Sequence, residues 1–177
     1  MFDSKGRNIH YLRLSVTDLC NLRCRYCMPD GVPKLAHEDI LTYEEFLRLA
    51  ALFAQCGIDT VRITGGEPLV RDDLEQVGLA LYRRGYPWGM VTNGLYLTAE
   101  RLQSLLAAGL HAITVSIDGF ADDHNWLRGH PDSYDRAMNA IRLLAQEREV
   151  KWDVVTCVNR RNYPYLEQFK ELSLIHI

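Results

Sequence analysis

An α/β fold built on a parallel sheet is what this chain predicts, on three observations. Short runs rich in β-branched and aromatic residues alternate with longer stretches of helical periodicity. The alternation recurs in five successive units within 177 residues. The polar residues that stand out chemically follow the strand runs directly, where a parallel α/β fold gathers its functional loops. Successive β-α units imply right-handed crossovers, hence either an α/β barrel or an open doubly wound sheet. Periodicity alone does not choose between the two.

The elements follow in order. Tyr11 to Thr17 reads as the first strand. After a loop marked by Pro29 and Pro33, a helix starts near Thr42, with Glu45 at capping-box spacing. Phe46, Leu49, Ala50 and Phe53 recur at helical spacing, and Gly57 closes the helix. Val61 to Thr64 is the second strand, followed by a helix from about Asp72 to Arg84. Trp88 to Thr92 is the third. Its helix runs from Thr98 to Ala108, with Thr98 as cap, Glu100 in the first turn and Gly109 as stop. Ala112 to Ile117 is the fourth strand, and the next helix spans Ser133 to Gln146. The Asp122-Asp123 pair between them reads as a solvated loop. Trp152 to Val158 is the fifth strand, with a helical start at Tyr165. The closing apolar run, Leu172 to Ile177, reads as a prematurely started sixth strand or as foreign sequence, so a single, incomplete domain over residues 1–177 is expected.

Composition narrows the function classes. Hydrophobic residues make up 47% and charged residues 24%, the balance of a globular domain with a core. The formal net charge is −3 with Lys and Arg dispersed, so a nucleic-acid partner is not expected. No apolar run approaches the roughly 20 residues of a membrane span, and the N-terminus lacks a signal-peptide core. A cytoplasmic chain is expected. Five cysteines in that setting argue for metal or catalysis over a disulfide framework.

Three of those cysteines, Cys20, Cys24 and Cys27, lie in the eight residues that follow the first strand. Thiolates select zinc or iron–sulfur clusters over hard cations. Structural zinc wants four protein ligands, and no fourth Cys or His lies within a turn. A [4Fe–4S] cluster held by three thiolates keeps one iron open to a substrate. Zinc and unrelated buried cysteines remain the alternatives. The Cys-x3-Cys-x2-Cys spacing, with Tyr26 before the last cysteine, resembles the signature of the radical S-adenosylmethionine (SAM) superfamily. The resemblance implies a partial, six-unit (β/α)6 TIM-like barrel that is C-terminally truncated. It also implies a [4Fe–4S] cluster whose open iron binds SAM, and reductive cleavage of SAM to a 5′-deoxyadenosyl radical that abstracts hydrogen. A one-electron reductant such as ferredoxin or flavodoxin would be its partner.

Other strand ends carry supporting motifs. Thr64-Gly65-Gly66-Glu67-Pro68 is a tight turn on plain chemistry. It resembles the superfamily's glycine-rich motif, in which bare backbone approaches SAM and Glu67 would accept from the methionyl ammonium. Thr92-Asn93-Gly94 is by itself a turn signal. Ser116 and Asp118 could hold ribose hydroxyls, or simply cap the following helix. Cys56 and Cys157 read as small buried hydrophobes, Trp88 and Trp152 as packing groups, and the six histidines show no ligand spacing.

From Asp3 to about Leu74 the sequence resembles the GTP 3′,8-cyclase family of molybdenum cofactor biosynthesis. Tyr11 to Asp18, Tyr26-Cys27-Met28-Pro29, His37 to Glu45 and Arg62 to Arg71 carry that likeness. By this resemblance Arg13, Arg62, Thr92 and Lys151 would bind GTP, while Tyr26, Gly66 and Ser116 would contact SAM. Forked guanidinium donors suit phosphate oxygens, although an arginine on a strand can also close a barrel mouth through an ion pair. The second half, from Ser116-Ile117-Asp118-Gly119 through His124 to Gly129, Ser133 to Ala137 and Trp152 to Asn159, resembles peptide- or protein-modifying radical SAM enzymes of the SPASM type. That likeness makes a peptide the alternative substrate and weakens the Lys151 match.

Overall fold

The computed structural model describes residues 2–31 and 40–176. Part of the expected cyclase-like stretch, His37 to Asp39, and the turn at Pro33 lie outside the described residues. Five strands form one sheet: β1 (Tyr11–Ser15), β2 (Thr60–Thr64), β3 (Trp88–Thr92), β4 (Leu110–Ser116) and β5 (Lys151–Val155). Every neighbouring pair is parallel and the order is β1-β2-β3-β4-β5. That order resolves the choice left open by periodicity. A doubly wound sheet reverses its strand order at a switch point, and this one runs in chain order from edge to edge, as a barrel wall does. The wall is not closed: β1 and β5 are its edges.

Among the described residues, six helices connect and follow the strands: α1 (Tyr43–Gln55), α2 (Leu74–Arg83), α3 (Ala99–Ala107), α4 (Ala121–Arg128), α5 (Ser133–Ala145) and α6 (Leu166–His176). No helix among the described residues is long and apolar enough to cross a membrane. Right-handed crossovers between sequentially ordered strands put the helices on one face of the sheet. On that face Val61, Ile63, Trp88, Met90, Ile113 and Val115 pack against Phe46, Val77, Leu81, Leu102, Leu105 and Ile141. Trp88 is the largest of these fully buried side chains, and its indole N–H donates to the Ala108 carbonyl at 3.0 Å. A Cβ at Gly78 on α2 would stand 2.3 Å from the Trp88 ring, so the helix carries a glycine where the indole lies.

Local signals hold where they were strong. Thr42 accepts from the Glu45 amide while Glu45 reaches back to the Thr42 amide, the full capping box. Gly57 and Gly109 follow α1 and α3 with φ of 84° and 87°, the left-handed region that favours glycine. Three expectations fail. Asp122 and Asp123 sit in the first turn of α4 rather than in a loop. Cys56 and Cys157 are exposed, because Cys56 is the C-cap of α1 and Cys157 lies beyond the end of β5. The terminal run continues α6 through His176 instead of starting a sixth strand.

The other face of the sheet carries the alternate residues of each strand. Here the register aligns Arg13 with Arg62, Arg62 with Gly89, Gly89 with Ala112, and Ala112 with Lys151. Three cations therefore share one row across the open face, and the residues between them on β3 and β4 are small.

Candidate functional site

The segment that leaves β1 turns back on the sheet immediately. The Gly66 amide donates to the Thr17 carbonyl at 2.7 Å and the Glu67 amide to Leu19 at 2.8 Å. A Cβ on Gly65 would stand 2.4 Å from the Thr17 oxygen, and one on Gly66 2.1 Å from the Leu19 oxygen. The two glycines thus press the end of β2 against the backbone that leads into Cys20, and they also line the cavity beside it. Their bare backbone first serves a close approach within the chain.

Behind them Glu67 is 1% exposed, and its carboxylate is a junction between strand ends. One oxygen accepts from the Thr92 hydroxyl at 2.7 Å and the Leu69 amide at 3.1 Å; the other accepts from the Asn93 amide at 2.7 Å. Burial raises the Glu67 pKa, and these three donors oppose that rise. Asn93 continues the tie by donating to the Asn21 side chain at 2.8 Å. Sequence reasoning took Asn93 for a turn residue, and its side chain in fact joins the end of β3 to the cysteine loop.

The loop's other flank rests on α4. The Arg23 amide donates to the Arg128 carbonyl and the Arg25 amide to the Leu127 carbonyl, which satisfies the last carbonyls of that helix. Gly129 ends it in the left-handed conformation, φ 68°, and a Cβ there would meet the Arg23 oxygen at 2.5 Å. Cys20, Cys24, Cys27 and Tyr26 then share one cavity with Thr64, Gly65, Gly66, Glu67, Val91, Thr92, Asn93, Ser116 and Arg128. All of this lining lies on or just beyond the C-terminal ends of β1 to β4, or on α4.

Cys24 is buried, Cys20 half-buried and Cys27 exposed. Burial pushes the Cys20 and Cys24 thiols up. Metal coordination would have to displace those protons, as it does for cysteine ligands generally. The donor set fits a [4Fe–4S] cluster: three soft ligands border one cavity on the end of a barrel wall, without a fourth from the loop. Among the described residues, no three His, Cys, Asp or Glu side chains converge on a single ion.

The expected ribose contacts separate. Ser116 lines the cavity. Asp118 does not belong to that lining: its side chain is fully buried and its oxygens are committed to Arg128, Tyr26 and the Cys157 amide. Tyr26 is 47% exposed, and its pKa is raised, chiefly by burial. Sequence reasoning gives Arg128, within the His124 to Gly129 stretch, no site role because α4 shows no apolar stripe; the Leu127-Arg128-Gly129 ending, a basic last turn before a glycine stop, is its available signal.

Of the expected GTP contacts, Arg13, Arg62 and Lys151 share the open-face row described above. The Arg62 guanidinium donates to the Thr114 hydroxyl at 3.1 Å. Thr92 does not join the row. It is 1% exposed, and its hydroxyl is occupied by Glu67 and the Gly94 amide, so the strand's alternation turns it from that face.

The family model described as the Radical SAM superfamily matches residues 14–172. A GTP 3′,8-cyclase from Peptoclostridium acidaminophilum is 49% identical over 123 residues, 67% of this chain and 37% of that protein. The chain therefore spans well under half the length of this relative. Streptococcus suis SuiB bound to precursor peptide SuiA superposes with a TM-score of 0.80 at 15% identity, over 94% of this chain and 37% of SuiB. Native anSMEcpe with bound AdoMet gives 0.73 at 18% identity, over 91% and 47%. At those identities the likeness shows the fold, a partial radical SAM barrel. Matched from residue 14 to residue 172, the chain belongs to the radical SAM superfamily.

Proposed function

We propose that the chain is the radical-generating part of a SAM-cleaving lyase that acts on GTP in molybdenum cofactor biosynthesis. The superfamily's cofactors are a [4Fe–4S] cluster and SAM. Cys20, Cys24 and Cys27 would hold the cluster in this reading and, with three thiolates for four irons, would leave it open to the amino and carboxylate groups of SAM. With both groups bound, the chemistry supplied is one-electron cleavage of the sulfonium to methionine and a hydrogen-abstracting 5′-deoxyadenosyl radical. The electron comes from a small carrier such as ferredoxin or flavodoxin. Tyr26, Gly65, Gly66 and Ser116 border the space beside the cysteines and orient SAM there. Glu67 and Asp118 act behind that wall, Glu67 by tying the end of β2 to the end of β3 and Asp118 by holding Arg128.

The observation that carries GTP is the cationic row. Arg13 and Arg62 are register partners on adjacent parallel strands, and Lys151 lies in the same row across Gly89 and Ala112. Strands stand about 4.8 Å apart, so the two guanidiniums reach one polyphosphate together. A row of cations on a bare floor suits a triphosphate better than a neutral peptide. Equilibrium dialysis with GTP tests this. Arg13→Ala and Arg62→Ala should each weaken GTP binding by about tenfold or more, the value of a charge-assisted hydrogen bond. Binding of a short cysteine-containing peptide in place of GTP, indifferent to both substitutions, would favour the peptide-modifying reading instead.

A further inference from the structure

We infer that the buried Asp118–Arg128 ion pair sets the reduction potential of the cluster held at Cys20, Cys24 and Cys27, with Arg128 raising it through Cys24 and Asp118 restraining that rise. The inference rests on the cysteine-bound cluster proposed above. Arg128 ends α4 with its side chain 8% exposed, and Asp118 follows β4 with its side chain fully buried. One guanidinium nitrogen, Nη2, lies 2.7 Å from Asp118 Oδ2. The other, Nη1, donates to Cys24 Sγ at 3.8 Å. The guanidinium carbon stands 5.7 Å from the centroid of the Tyr26 ring, and Nε is buried without a partner. Asp118 is fixed from two further sides. Its Oδ2 accepts from the Tyr26 hydroxyl at 3.1 Å, and its Oδ1 from the Cys157 amide at 2.8 Å.

The arrangement is a ring: Cys24, Arg128, Asp118, Tyr26, and back along the loop to Cys24. A buried ion pair adds little net stability over apolar residues of the same volume, so its stability alone does not account for it. Its two charges act with opposite sign on any charge that changes nearby. Reduction adds one electron to the cluster. A cation that donates to a ligating sulfur favours the reduced state, because hydrogen bonds to sulfur and local charge are the protein's levers on such potentials. A carboxylate one guanidinium further out disfavours it. Held together, the pair gives Cys24 a directed donor without a full unscreened positive charge.

The test is a redox titration followed by electron paramagnetic resonance on the cluster-loaded chain without SAM, with iron content measured for each variant. Arg128→Gln leaves a buried carboxylate facing the cluster. It should lower the reduction equilibrium constant by about tenfold, about 59 mV for one electron. Asp118→Asn leaves the guanidinium uncompensated and should shift the potential upward. Asp118→Asn combined with Arg128→Gln buries no lone charge and should fall between the two. Tyr26→Phe removes one donor from Asp118 on a half-exposed residue, so it folds regardless and should lower the potential. Shifts of the same sign in both single variants overturn the inference, as does an unmoved potential in Tyr26→Phe should the singles fail to fold. A wild-type chain that binds no iron removes both this inference and the function on which it rests, whereas a cluster indifferent to the pair removes only the inference.

Discussion

His124 shows how a single side chain ties the α4 junction to pH. It is 1% exposed, its Nδ1 accepts from the Asp118 amide at 3.0 Å, and its ring meets that of Tyr134 edge-on. Burial, reinforced by Arg128, lowers its pKa to about 4. The unfolded chain takes up a proton near pH 6.5 that the folded chain refuses until about 4. Stability from this residue is therefore complete above about pH 6.5 and declines as the pH falls toward 4, by on the order of 3 kcal/mol. Urea midpoints measured from pH 7.5 to 4.5 should fall along that window, and His124→Gln should flatten this part of the dependence. An equal decline in the variant would place the titration elsewhere. At the scale of residues, the meeting of the three cysteines at one cavity was legible because they lie within one span of eight residues that follows a strand. The roles of Glu67 and Asp118 were not. A carboxylate after a strand reads as a ligand contact, and only the fold shows that its oxygens already serve Thr92, Asn93 and Leu69, or Arg128, Tyr26 and Cys157.

Elements were legible in proportion to how locally they are encoded. The capping box at Thr42, the Thr98 cap and the glycine stops are written within four residues of the event they cause. Thr42→Ala should cost about 1 kcal/mol, read as a lowered urea midpoint with an unchanged slope. A loss below a tenth of that would mean the box seen in the structure does not hold in solution. The helix α4 was missed for the opposite reason. Its N-cap is Phe120, which provides no capping side chain, and its buried residues are His124, Leu127 and Arg128, a poor apolar stripe. Its last carbonyls are satisfied by the Arg23 and Arg25 amides, residues about one hundred positions earlier. Trp126 is packed against the Arg25 guanidinium, 4.4 Å from the ring centroid, and the Arg161 guanidinium, at 4.1 Å. No local window of sequence contains those partners. The tail has a distant partner too: α6 runs on through a stretch that looks like a strand, and Phe169 within the helix stacks on Phe120, with centroids 4.8 Å apart.

At the scale of the molecule, alternation of strands and helices predicted the class, and strand order supplied the architecture. Five parallel strands in chain order hold the cysteine loop, the two glycines, Asn93 and Ser116 at one end of the wall, and the arginine row on its open face. The proposed radical-generating site and the cationic row are thus separate features of one sheet, one at its C-terminal rim and the other across its middle. In the proposed function Cys20, Cys24 and Cys27 carry a cluster with an open iron. Anaerobic reconstitution with iron and sulfide, followed by iron analysis and assay of 5′-deoxyadenosine after SAM and dithionite are added, tests it most directly. About four irons per chain, SAM-dependent release of 5′-deoxyadenosine, and loss of both in Cys24→Ala are the predicted result. Stable binding of one zinc with no uptake of iron would contradict it.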